Sequence, residues 1–362
     1  MRVLSGVIGL VLLVATVSSI LRNLVVPRGL NSVMVKGLLR ATRRLLLALS
    51  RPGGNYLRCD KVLAWLAPSV LIATLLWWLI SLFAAYGFLL YAISHLNLAA
   101  SMREAGSSLF TLGFASAARG RLTGLDFLAA ATGPLVIALQ IAYLPTLYAA
   151  YNRRETEVTL LHSRAGEPGW GPELLARQSL IGTLDEMTAL YASWERLAAD
   201  IGESHASYPL LMSFRSPRPY RSWIIALLTV MDAAAMQISL NPSTPSVRAA
   251  RLALRAGFSA LRDVAKVADI RFDPDPMPDD PITLTYGEFA EAVRWVVDAG
   301  YLPERTPEEA WPHFRGWRVN YEHIAYEIAR KVDAVPALWS GTRDWPHATM
   351  PPIRPTDRRP VP

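Results

Sequence analysis

Cysteine is almost missing from this chain: of 362 residues only Cys59 is one. A disulfide within the chain and a cysteine-rich metal site are both excluded, and Cys59 is expected to be an unpaired thiol. Charge is scarce too, at 19% of residues against about 25% in an average soluble domain. No glycine-rich phosphate loop, nucleophile elbow, zinc-helix motif or dinucleotide-binding βαβ pattern is present. His313 and His323 stand apart from any partnering Cys or His, so neither is expected to hold a metal. These absences argue against an enzyme and against a cofactor. The net charge of +7 does not point to nucleic acid, because many basic residues flank apolar runs, where they set membrane topology or meet anionic lipid.

What the chain has in excess is apolar sequence, 52% of residues, concentrated before residue 152. Residues 3–21 form an uncharged run of 19 residues, nearly long enough to span a bilayer. It is expected to be a retained anchor, with a cleaved signal peptide as the alternative. The next forty residues carry Arg22, Arg28, Lys36, Arg40, Arg43, Arg44, Arg51, Arg58 and Lys61 against the single acid Asp60, which places them on the cytoplasmic side. Within them, Val33, Leu38, Leu39, Leu45 and Leu46 interleave with the cations, the pattern of a basic amphipathic helix on an anionic inner leaflet. Pro52-Gly53-Gly54-Asn55 is expected to end it. Residues 62–94 would make a helix of about 50 Å, longer than the hydrocarbon core and so tilted or protruding. Residues 127–151 return to Arg153-Arg154. Gly133-Pro134, with Pro145 as a second candidate, is expected to kink this inner helix, as static curvature or as a gate hinge.

Between these two runs lies Ser107-Ser108-Leu109-Phe110-Thr111-Leu112-Gly113-Phe114-Ala115. The segment 101–110 is too short to cross, so membrane helix, short re-entrant helix, loop and membrane helix follow one another. Non-helical backbone at membrane depth is tolerated only where protein buries it or where it lines water. An ion pathway supplies that reason: Thr111 offers a hydroxyl and a carbonyl, and Leu112 and Phe114 would turn their side chains into protein and their carbonyls inward. Gly113 admits the left-handed backbone that aims successive carbonyls at one axis.

Residues 62–152 resemble the two-helix pore module of the potassium channel family. The family pattern Thr-x-x-Thr-Val-Gly-Tyr-Gly-Asp is followed in order by Ser108 to Ser116, with Thr111, Gly113 and the aromatic Phe114 matching. Gly133 is similar in placement to the inner-helix hinge glycine. The first span, followed by Val26-Pro27-Arg28-Gly29-Leu30, resembles bacterial members with one extra N-terminal helix. The resemblance implies a homotetramer, since one module cannot enclose an axis. It also implies potassium or another monovalent cation as the permeant ion, passing the carbonyls of Thr111, Leu112, Gly113 and Phe114. Ser108 and Ala115 would support the filter. The departures are Ala115 for the second filter glycine, Ser116 for the aspartate and the missing hydroxyl at Phe114. They motivate the alternative of a non-conducting pore-like anchor or sensor.

Beyond Arg154 the pattern is helical and more polar. Residues 155–162 continue the inner helix, and Gly166-Glu167-Pro168-Gly169-Trp170-Gly171-Pro172 breaks it. Helices are expected over 173–201, 246–269, 286–299 and 307–332. Trp223–Leu240 is either a buried soluble helix or a fourth span, with Asp232 in its middle. In a soluble helix, Asp232 is expected to pair with an arginine such as Arg215 or Arg221. The acidic proline-rich loop from Asp273 to Pro281 lacks a calcium-loop pattern and is expected to be a solvated linker.

The expected fold is thus an all-α membrane protein: three transmembrane helices with a pore helix and filter-like loop, then an α-helical cytoplasmic domain. Its parts are an anchor (1–25), a basic amphipathic segment (26–61), the pore module (62–152), the cytoplasmic domain (153–335) and a disordered proline-rich tail (336–362). The expected location is the cell membrane, multi-pass.

Overall fold

The computed structural model describes residues 1–26, 33–50, 55–115, 123–344 and 347–353. Several expected features lie outside the described residues: the Pro27-Arg28-Gly29-Leu30 stretch, the Pro52-Gly53-Gly54 turn, Ser116 and the tail from residue 354. Among the described residues the chain is helical and has no strand. Among the described residues, four helical stretches are long and apolar enough to cross a membrane: Arg2–Val25, Tyr56–Ile93, Thr123–Ala165 and Trp223–Leu240. The chain divides into two compact units, residues 1–48 with 65–149, and residues 49–64 with 150–362.

The first unit is built on α1 (Arg2–Ile20, continued by a π-helical turn at Leu21–Val25) and α4 (Leu66–Ile93). They are antiparallel: Arg2 donates to the Ser94 carbonyl at 2.6 Å, and at the other end Trp78 Nε1 donates to Ser19 Oγ at 3.1 Å. Between these ties Gly9 lets the α4 backbone close in, since a Cβ there would stand 2.9 Å from the Ala85 carbonyl oxygen. Small residues at such crossings give the van der Waals contact that apolar helices need where no hydrophobic force separates helix from lipid. The basic amphipathic helix appears as α2 (Val33–Ser50), with Arg40 and Arg44 exposed beside exposed Leu45 and Leu49. Two more helices complete the unit, α5 (Leu98–Leu109) and the first part of α6 (Thr123–Ala165). Trp78, Leu82, Tyr86 and Leu90 of α4 form one apolar core with Ala105 and Leu109 of α5 and with Ala129 and Val136 of α6.

The expected single helix over 62–94 is interrupted. A short helix, α3 (Tyr56–Leu63), precedes α4 and belongs to the second unit. Its anchor is Arg215, whose Nε donates to Asp60 Oδ1 at 2.5 Å and whose Nη2 donates to Tyr56 Oη at 2.9 Å. The segment 26–61 thus holds two described helices, α2 and α3, and Asp60 and Tyr56 of α3 bond to Arg215.

The second unit surrounds α9 (Trp223–Leu240), of which all 18 residues are buried. A helix apolar all round needs cover on every side. Cover comes from α7 (Gly171–Leu180), α8 (Met187–Ser207), α10 (Val247–Val267), α12 (Pro307–Arg318) and α13 (Glu322–Lys331), with α11 (Tyr286–Asp298) against α7. The Gly-Trp-Gly break brings α7 in, since a Cβ on Gly171 would meet the α9 backbone at Ala233 N, 2.8 Å away. The helix expected over 173–201 splits at Gly182, whose positive φ of 69° ends α7. The one expected over 307–332 splits between Arg318 and Glu322.

Asp232 is paired neither with Arg215 nor with Arg221. Its Oδ1 accepts from Arg318 Nη1 and, at 2.8 Å, from Tyr321 Oη. Arg318 also donates to Glu322 Oε2 at 2.5 Å and to the Trp339 carbonyl at 2.9 Å. That last bond shows why the tail is not disordered from residue 336. Trp339 is buried against Trp170 and Phe314, Arg343 Nη2 donates to the Val335 carbonyl at 2.8 Å, and Ile353 N donates to the Glu167 carbonyl at 2.9 Å.

Candidate functional site

The loop expected to carry function follows α5. This helix starts three residues earlier than expected, at Leu98, because the Asn97 side chain accepts from Ala100 N at 2.8 Å and caps it. Its buried residues Ser101, Glu104, Ala105, Ser107 and Leu109 recur at helical spacing on one face. Gly106 packs beside the Phe83 ring, and Gly87 of α4 admits the Met102 side chain. Against α6, a Cβ on Gly133 would collide with the Leu109 carbonyl oxygen. Ser108 Oγ donates to Asp126 Oδ1 at 2.9 Å, and Tyr86 and Thr132 share a hydroxyl hydrogen bond of 2.8 Å.

Ser107 organises the loop itself. Its carbonyl accepts from Leu112 N at 2.8 Å and from Gly113 N at 3.4 Å, while its Oγ accepts from Ala115 N at 2.9 Å. The backbone turns left-handed twice, at Gly113 (φ 70°) and at Thr111 (φ 54°). The second was not expected: a β-branched residue at positive φ is a strained outlier, held here by Thr111 N donating to the Ser108 carbonyl at 3.0 Å. Among the described residues, the carbonyls of Thr111, Leu112, Gly113 and Phe114 accept no hydrogen bond.

The expected side-chain directions differ in the single chain. Leu112 and Phe114 are 61% and 57% exposed rather than packed into protein, and the Thr111 hydroxyl turns back to the Phe110 carbonyl at 2.7 Å. The Arg103 guanidinium lies 5.4 Å from the centre of the Phe114 ring, a cation–π contact. The C-terminal end of α5 brings about half a negative charge to the loop, and Asp126 and Arg103 add one charge of each sign beside it. Gly133 and Pro134 lie within unbroken helix in α6. Gly133 is a point of close approach for α5, whatever it contributes as a hinge.

Four residues of this site were missed in the sequence: Asn97, Arg103, Ser107 in its organising role, and Asp126. Asp126 carried a signal, as the lone acid at the head of an apolar run; the other three gave none outside the fold. Among the described residues no cluster of three or more His, Cys, Asp or Glu side chains is placed to hold a metal. Compared with known proteins, the chain matches no family model, no curated protein and no solved structure.

Proposed function

We propose that this chain is a potassium-channel-like membrane pore that passes monovalent cations passively. Three helices would span the membrane, α1, α4 and the first part of α6. The buried α9 would be the core of a cytoplasmic helical domain, since its apolar surface is already covered by protein. Four copies would set residues 111–114 around one axis, and the basic α2 would lie on the anionic inner leaflet.

One observation carries the reading. Ser107 folds the Leu112 and Gly113 N–H groups back onto itself, and four successive carbonyls, Thr111 to Phe114, are left without a donor among the described residues. In a bilayer such acceptors are costly unless a cation, water or another copy meets them. A ring of carbonyls can replace the hydration shell of a monovalent ion. The α5 C-terminus pointing at the loop favours positive charge there, and exposed Leu112 and Phe114 supply apolar surface for neighbouring copies. No catalytic step and no cofactor enters this mechanism. The test is potassium flux into liposomes carrying the purified protein, with rubidium and sodium compared. Flux of potassium and rubidium above sodium is expected; no cation flux under any membrane potential or pH would defeat the proposal.

A second reading, a non-conducting anchor or sensor, is favoured by one specific feature. Arg103 places a fixed positive charge against Phe114, where it opposes cation entry. The double substitution Ala115→Gly with Ser116→Asp separates the two. Current gained by an otherwise silent protein supports the second reading, and current already present in the unaltered protein removes it.

A further inference from the structure

Two charged surfaces of the second unit carry side chains that, among the described residues, make no ion pair. On α10, the residues Arg248, Arg251, Arg255, Arg262 and Lys266 fall within a narrow stripe along one side, by helical spacing. Arg248, Arg251 and Arg255 are exposed. Among the described residues none of these three takes part in an ion pair, whereas Lys266 pairs with Asp263 at 2.9 Å. They cover about 10 Å of helix.

The second surface is the loop after α10, where Asp273, Asp275, Asp279 and Asp280 alternate with prolines. It is a shaped surface rather than a loose linker. Asp275 N donates to Asp273 Oδ1 and Met277 N donates to Asp280 Oδ2, both at 2.9 Å. Pro278 is seated over Gly316, where an added Cβ would stand 3.4 Å from the proline ring. Asp273, Asp275 and Asp279 are exposed and, among the described residues, make no ion pair.

The two surfaces do not neutralise each other in one molecule. α10 runs from Val247 to Val267, so Arg248 stands about 28 Å and Arg255 about 18 Å from the end that leads into the loop, and Pro278 of the loop packs on α12. A bilayer of anionic lipid would answer only the arginines. A second copy of this chain answers both surfaces at once.

We infer that the Arg248/Arg251/Arg255 stripe of one copy docks on the Asp273–Asp280 loop of the next. Such a contact is head-to-tail: each copy keeps its own loop free for another neighbour, and the series closes into a ring if the rotation between copies allows. Charge complementarity fixes the register and suppresses like-on-like contacts. The inference borrows from the pore reading only that several copies share an axis.

The experiment uses the full chain in detergent, with two differently tagged forms co-expressed, Arg251→Cys and Asp275→Cys. Mild oxidation is expected to give a disulfide-linked band containing both tags, decreasing as salt is raised. Reversing Arg248 and Arg255 to Glu in the first form should lower its yield at least tenfold. Reversing Asp273 and Asp279 to Arg in the second form should then restore it. No mixed band, or a band indifferent to charge reversal, would overturn the inference. So would protection of R251C from a water-soluble thiol reagent only in phosphatidylserine nanodiscs, which would assign the stripe to lipid. Potassium flux and a four-subunit mass without the band would remove this contact and leave the pore reading. The band without flux would remove the pore reading and leave the contact.

Discussion

Arg318 and Asp232 face each other from the end of α12 and the middle of α9, and neither side chain reaches solvent. The guanidinium is further enclosed by the rings of Phe314, Tyr321, Tyr326 and Trp339, each with its centre within 6 Å. A charge so deeply placed is tolerated because Asp232, Glu322, Tyr326 and the Trp339 carbonyl all receive its donors. Arg318→Met would strand two buried carboxylates, and the expected cost is about 3–5 kcal/mol. The double variant Arg318→Met with Asp232→Leu should recover part of that loss, since an apolar replacement of the whole pair leaves fewer uncompensated charges. Thermal unfolding of the detergent-solubilised chain, followed by tryptophan fluorescence, measures both. Equal melting of the single variant and the unaltered chain would show that the pair is not structural.

Arg154 makes a second buried centre, and it sets a pH dependence. Its Nη1 lies 3.0 Å from His205 Nε2. A guanidinium can only donate, so Nε2 must accept and the ring must be neutral. Burial, and then the charge of Arg154, hold the imidazole well below its ordinary range. The unfolded chain takes up a proton on this histidine near pH 6.5, while the folded chain does not. Stability is therefore fully present above that pH and is lost as pH falls below it, by up to about 1.4 kcal/mol per pH unit from this group. Melting between about pH 7 and pH 5 should decline less in His205→Gln, which keeps an acceptor but does not titrate. An unchanged slope in that variant would assign the acid sensitivity to other groups.

Ser107 offers a test of the loop that does not depend on conduction. Ser107→Ala removes the Oγ that accepts from Ala115 N and leaves both backbone bonds to Leu112 and Gly113. The global cost should be small, about 1 kcal/mol. Hydrogen exchange, by contrast, should quicken at Ala115 and not along α5. Uniformly faster exchange through α5 would mean that the hydroxyl supports the helix rather than the loop.

How much of this was legible in the sequence follows from the range of the forces involved. Local patterns carried far: the apolar runs, the amphipathic α2, the helix that became α10, the Gly166–Pro172 break and the short helix before Thr111 are all written within a few neighbouring residues. Long-range pairings were not. Asp232 was seen to need an arginine, but Arg318 lies 86 positions away and nothing near either residue distinguishes it from Arg215 or Arg221. The start of the tail was misjudged for the same reason, since its prolines suggested disorder while Trp339 and Arg343 found partners in the second unit. At the loop, Gly113 announced its own positive φ. Thr111 could not, because only the bonds made by Ser107 and Ser108 hold a β-branched residue there.

Gly133 has a packing role beside the hinge role expected from the sequence. As a hinge, it would act through backbone freedom, and so would Pro134 beside it. As a packing point, it acts by having no Cβ where the Leu109 carbonyl closes in. Gly133→Ala is therefore expected to force α5 and α6 apart at a cost of about 1–3 kcal/mol, the usual penalty of overpacking. Pro134→Ala adds no bulk at that contact and regains a backbone N–H inside the helix, so it should leave melting unchanged or raise it. A lower melting temperature for Gly133→Ala alone, with faster exchange at residues 107–113, would establish the packing role. Equal, small effects of the two substitutions on melting, with altered gating in both, would assign the pair to a hinge.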